Sequence, residues 1–111
     1  DVGLALFYFF TEWEGEQDGN LRLEPMHVFM KAYQETLGPA TGALPLNALE
    51  RKYLPYLLNA ANLFVLNWTI EDFYAKDVDP GEYLVYLRHS VNLIKWLQKP
   101  DNWEKLRGAL P

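Results

Sequence analysis

The sequence predicts an all-α fold, a bundle of four to five helices in one domain over residues 1–111. Three observations point there. Apolar residues recur at helical spacing through most of the chain, and Asn-led and Asp-led capping patterns open two of the segments. No stretch alternates apolar and polar residues between turn signals, as a half-buried strand would. Half of the 111 residues are apolar and 15% are aromatic, enough to build a real core.

The first helix is predicted from Val2 to about Trp13, with Asp1 placed to cap it. Its opening, DVGLALFYFF, is apolar on nearly every side, the mark of a helix buried all round. The run is less than half the roughly 20 residues that a membrane span needs. It has neither the positive leading end nor the small-residue cleavage site of a secretory signal. The expectation is therefore a fragment of a larger chain, beginning inside a buried helix.

Glu14 to Asn20 reads as a polar, Gly-containing loop. A second helix is expected from about Pro25 to Leu37, ended by Gly38-Pro39, with Met26, Phe29, Met30, Tyr33 and Leu37 on its buried face. Asn47-Ala48-Leu49-Glu50 has the form of a capping box and opens the longest helix, to about Ala75. Pro55 predicts a kink or a break in it. The segment Leu57–Ile70 is apolar almost all round and should lie at the centre of the fold. Asp79-Pro80-Gly81-Glu82 starts the next helix, to about Leu97, with Tyr83, Leu84, Leu87, Val91, Ile94 and Leu97 facing inward. A short final helix starts at Pro100 and frays near Gly108.

Composition excludes several functions. The net charge is −5, and the ten Lys and Arg are scattered rather than clustered, so no nucleic-acid footprint is expected. A basic amphipathic helix for a membrane surface is missing as well. With no cysteine, there is no disulfide, thiolate metal site or Cys nucleophile. The default location is the cytoplasm.

Motifs for chemistry are sparse. Glu14, Glu16, Asp18 and Gly19 match early positions of a calcium-binding EF-hand loop, but the twelfth position is Pro25 instead of a bidentate Glu. His27 and His89 lack a second ligand at metal spacing. His27 is expected at the solvent edge of its helix and His89 on the polar side of its own. Ser90 is the only serine and stands outside any nucleophile elbow, and the glycines are too dispersed for a phosphate loop. The polar residues inside the apolar central helix, Asn59, Asn62, Asn67 and Thr69, carry more information, because a buried amide needs a partner. Helix-to-helix hydrogen bonding is one reading. The other is that Asn67, Trp68 and Glu71 line a polar pocket.

DVGLALFYFF resembles the Asp-Leu-Ala helix that follows the metal-binding segment in the aminoglycoside phosphotransferase family, which includes choline kinase and type II homoserine kinase. FMKAYQETL is similar to that family's Phe-x-x-Gly-Tyr stretch, with Phe29 and Tyr33 matching and Ala32 in place of Gly. The Pro/Leu connection, the long apolar helix and the closing amphipathic helix follow in the same order. The resemblance implies the last helical part of a kinase-like C-lobe, on the substrate side of the cleft. It implies ATP and magnesium in the full-length enzyme and no cofactor held by this chain. The family's His-x-Asp-x(4)-Asn loop and magnesium Asp are not in this sequence.

Under the resemblance, Asp1 matches a residue that braces the catalytic loop, and no catalytic residue is expected here. Leu63 and Trp68 stand about where homoserine-kinase-like sequences place arginine, so homoserine is disfavoured. The acidic surface suits a small polar or cationic substrate. The expected partners are the missing upstream catalytic region and, for the isolated chain, a second copy joined through the aromatic run of the first helix. A free-standing helical interaction module is the competing reading.

Overall fold

Asn47 shows how local chemistry starts the longest helix. Its Oδ1 accepts from Glu50 N at 2.9 Å while Glu50 Oε2 accepts from Asn47 N at 2.8 Å, the reciprocal pair of a capping box. At the other end of the chain Asp79 Oδ1 accepts from Gly81 N at 3.1 Å, with Pro80 in the first turn. These starts belong to a fold seen in a computed structural model that describes residues 2–42, 44–76 and 79–110. Asp1, with its expected bracing role, lies outside the described residues.

Among the described residues five α-helices follow in order: α1 Val2–Phe9, α2 Leu23–Thr41, α3 Ala48–Ala75, α4 Pro80–Leu97 and α5 Pro100–Ala109. A 3₁₀ turn, Gly15–Gln17, sits in the loop between α1 and α2. Among the described residues there is no strand, only an isolated antiparallel bridge between Thr11 and Leu21. The all-α expectation and the five-helix order hold. No helix is long and apolar enough to cross a membrane among the described residues.

The core is assembled from every helix. Leu6 and Phe7 of α1, Met26 and Met30 of α2, Leu54, Leu58 and Val65 of α3, Leu93 of α4 and Leu106 of α5 are all but removed from solvent. Each such side chain contributes about 1.5–3 kcal/mol of transfer free energy. The expected inner face of α2 is confirmed at Met26 and Met30, with Phe29, Tyr33 and Leu37 half-buried. α3 packs against α1, α4 and α5, but only one side of Leu57–Ile70 is enclosed, at Leu58, Ala61, Asn62, Val65 and Thr69.

Four boundaries or faces differ from the sequence reading. α1 stops at Phe9 rather than near Trp13, because the chain turns back and pairs through Glu12 N to Asn20 O at 2.9 Å and Arg22 N to Phe10 O at 2.8 Å. α2 runs through Gly38-Pro39 to Thr41. The carbonyl that loses its bond to Pro39 belongs to Glu35, an exposed residue. Gly42, at φ +72°, supplies the left-handed stop instead. α3 runs without a break past the buried Pro55, with Leu54 and Leu58 buried beside it. It is not apolar-buried all round, since Leu57, Leu63 and Phe64 face solvent, Phe64 at 65% exposure.

The fourth difference is the rotation of α4. Leu97 is buried as expected, but the other buried residues are His89, Ser90 and Leu93, while Leu84 and Val91 are exposed. Hydrophobicity alone turns the helix about one residue, because two of its innermost side chains are polar.

Candidate functional site

Only four residues separate the end of α3 at Ala75 from the start of α4 at Pro80. Helices joined so closely lie antiparallel, and residues equidistant from the connection face each other. Trp68, Thr69 and Asp72 of α3 thereby meet Glu82, Tyr83 and Tyr86 of α4 around a small open cleft of about 70 Å³. Beside it a wider groove runs over Glu82, Val85 and Tyr86 to Tyr8, Phe9 and Trp13.

The cleft combines two kinds of group. Trp68, Tyr83 and Tyr86 offer aromatic faces, with Tyr83 stacked on Phe73 at 4.1 Å and Tyr86 edge-on to Trp13 at 5.8 Å. Asp72 and Glu82 offer carboxylates, Asp72 paired with Lys76 Nζ at 2.9 Å. Aromatic faces and carboxylates converging on one space are the chemistry that holds a small organic cation. Burial, with the neighbouring Tyr86 adding to it, raises the Tyr8 phenol above its ordinary value, so Tyr8 stays a neutral wall of the groove.

The sequence trio divides here. Trp68 lines the cleft, whereas Asn67 and Glu71 are exposed on the outer side of α3. Asn62 takes the structural role offered for the polar residues of this helix: its Nδ2 donates to Ser90 O at 3.1 Å across to α4. Thr69 Oγ1 donates to Val65 O within its own helix at 2.8 Å. Tyr86, Tyr8 and Trp13 were not singled out from sequence, and the short α3–α4 connection was the signal available for Tyr86.

Behind the groove lies a buried polar network. His89 is fully buried, with Nδ1 2.6 Å from Asp18 Oδ1 and Nε2 3.0 Å from Thr11 Oγ1. A carboxylate only accepts, so Nδ1 carries a proton. The single Thr11 hydroxyl proton is shared between Phe7 O, 2.7 Å away, and His89 Nε2, which accepts in the neutral ring, and Asn92 Nδ2 donates to Asp18 Oδ2 at 3.0 Å. Burial pushes the His89 imidazole below its ordinary value, against the opposing pull of the Asp18 carboxylate. His89 thus leaves the polar side expected of it, because the acidic loop folds over α4 and supplies its partner. The same contacts occupy the Asp18 carboxylate, which an EF-hand reading would have aimed at calcium.

His27 is exposed, as expected, with Nδ1 3.0 Å from Ala109 O. No three His, Cys, Asp or Glu groups stand together to hold a metal ion among the described residues.

Comparison with protein-family models, with curated proteins and with solved structures gave no match. The functional reading therefore stands on the cleft and on the sequence pattern.

Proposed function

We propose that this chain is the C-terminal helical, substrate-side part of an ATP-dependent small-molecule phosphotransferase of the aminoglycoside phosphotransferase type. One observation carries the reading: the α3–α4 cleft joins Trp68, Tyr83 and Tyr86 to the carboxylates of Asp72 and Glu82. That set suits a small polar or cationic acceptor such as an amino alcohol or an aminoglycoside, held by cation–π contact and charge attraction. Further support comes from the matching stretches around Phe29 and Tyr33 and from the order of the helices.

In this reading the chain binds and orients the acceptor, and the upstream region supplies ATP, magnesium and the catalytic Asp in the cytoplasm. Phosphoryl transfer depends on positioning and charge stabilisation, so a substrate-side wall contributes by placing the attacking hydroxyl.

A titration of the chain with tetramethylammonium, followed by tryptophan and tyrosine NMR signals, tests the cleft. Saturable shifts at Trp68 and Tyr86 that weaken with salt are expected, with none from neutral neopentyl alcohol of similar shape. Equal responses to both compounds refute a cation site. Magnesium-ATP should give no saturable heat with the chain alone, and turnover by it would refute the assignment as a substrate-side part.

A second reading, a helical interaction module, is favoured by a specific observation: the outer side of α3 exposes Leu57, Leu63 and Phe64.

A further inference from the structure

The outer side of α3 carries a regular seam. Leu49, Tyr56, Leu63 and Ile70 recur every seven residues, and so do Tyr53, Ala60, Asn67 and Tyr74. The two series interleave at the three- and four-residue steps of a coiled-coil a/d pattern. All eight are exposed: the large apolar members run from 37% at Ile70 to 80% at Tyr74, and Ala60 and Asn67 also face solvent. A seam with this period fits a helix, since it keeps one stripe of side chains facing a partner helix along the whole length.

The surface of the molecule gives the size of what is missing. A folded monomer of 12.9 kDa exposes about 6,300 Å². This chain exposes 7201 Å², about 900 Å² more. One side of a standard interface covers about 800 Å². The radius of gyration is 15.3 Å, against about 13 Å for a compact chain of this length.

We propose that a second copy of this chain covers the seam, α3 against α3 in an antiparallel two-fold dimer. The excess surface, about 900 Å², is close to the roughly 800 Å² that each copy brings to a standard interface. The seam is also complementary to itself when reversed. Antiparallel pairing sets the small Ala60 against Leu63 of the second copy, Tyr56 against Asn67, and Tyr53 against Ile70. Each large group then meets a smaller or polar one, and the Tyr56 hydroxyl reaches an amide. Parallel pairing would stack Ala60 on Ala60 and leave a void beside crowded Tyr53 and Tyr56 layers. No charged residue occupies an a or d position, so the net charge of −5 is kept out of the contact. The proposal is independent of what the cleft binds, and it moves self-association from the first helix to the third.

Sedimentation equilibrium of the 111-residue chain from 1 to 100 µM tests it. The expected mass is that of a dimer at the upper end, and Leu63→Glu should give a monomer throughout with unchanged helical circular dichroism. Phe9→Glu on α1 should leave the dimer intact. A wild-type monomer at every concentration overturns the proposal, and so does a dimer that Leu63→Glu leaves unchanged. Orientation is read in the cysteine-free chain. Leu49→Cys and Tyr74→Cys chains should cross-link to each other on oxidation, and efficient cross-linking of Leu49→Cys to itself would overturn the antiparallel arrangement.

Discussion

The Trp13 indole lies flat on the His89 imidazole, with ring centroids 3.5 Å apart and planes within 5°. Phe7 meets the same imidazole edge-on at 5.4 Å. Asp18 and Thr11 hold its two nitrogens, so His89 is enclosed by α1 and by the loop that follows it. The wall of the groove is set by this packing, because Trp13 is both the cover of His89 and a lining residue.

Stability should therefore depend on pH through His89. Burial lowers its pKa in the folded state, so the unfolded chain binds the proton more readily. Where the unfolded state binds more protons, stability rises with pH. The His89 contribution is complete above the ordinary histidine value of about 6.5 and is lost as pH falls below it. Urea unfolding between pH 5 and 8 should show this slope, and His89→Asn should flatten it. An NMR midpoint for His89 above 6.5 would reverse the sign and refute the prediction.

Asp18→Ala should be costly for a loop substitution. It strips the partner from the buried His89 Nδ1 and from Asn92 Nδ2, and an unsatisfied buried donor costs about 1–3 kcal/mol. A total loss of about 2–3 kcal/mol is expected in urea unfolding. Glu16→Ala, on the exposed side of the same loop, should stay within about 0.5 kcal/mol.

Much of the fold was legible because it rests on local chemistry. The capping box at Asn47 and Glu50, the Asp79-Pro80 start and the Met26/Met30 face need only neighbours in sequence. His89 was misplaced because its partner Asp18 is 71 residues away. That distant acid, with Thr11 on the other ring nitrogen, satisfies the polar side chain in the interior. Gly38-Pro39 reads as a stop and Pro55 as a kink or a break by the same local logic, yet α2 runs on to Thr41 and α3 is unbroken at the buried Pro55, where Leu54 and Leu58 are buried with it. In the candidate site, Trp68 was legible as an aromatic group near the end of the central helix. Asn67 and Glu71 were grouped with it by proximity in sequence, yet neighbouring residues on a helix point about 100° apart. Asp72, four residues after Trp68, shares its side of α3.

Cleft substitutions separate these two groupings. Trp68→Ala removes an aromatic wall and should abolish the tetramethylammonium response. As the side chain is half exposed, the fold should lose no more than about 1 kcal/mol. Glu82→Gln should weaken the response several-fold by removing a carboxylate from the cleft. Glu71→Gln, outside the cleft lining, should leave it within about two-fold. A larger loss with Glu71→Gln than with Glu82→Gln would restore the original trio as the site.

The loop lies against α4 at Gly19 with no room for a side chain, and this gives the most severe single-residue prediction. Gly19 has φ +83°, a region that L side chains rarely adopt. A Cβ there would lie 2.5 Å from Asn92 Cβ and 2.6 Å from Leu93 N, and the latter belongs to a helix backbone that cannot step aside. The loop would have to lift, taking Asp18 away from His89 and loosening Trp13. Gly19→Ala should thus combine the cost of the left-handed backbone, about 1–2 kcal/mol, with loss of the Asp18 bonds. The sum is about 3 kcal/mol or more. Gly15 is the matched control, since it lies in the same loop at φ +67° but a Cβ there meets nothing within 4 Å. Gly15→Ala should cost only the backbone term, about 1 kcal/mol. Equal losses for the two variants, measured by urea unfolding, would mean that the loop does not bear on α4 at Gly19.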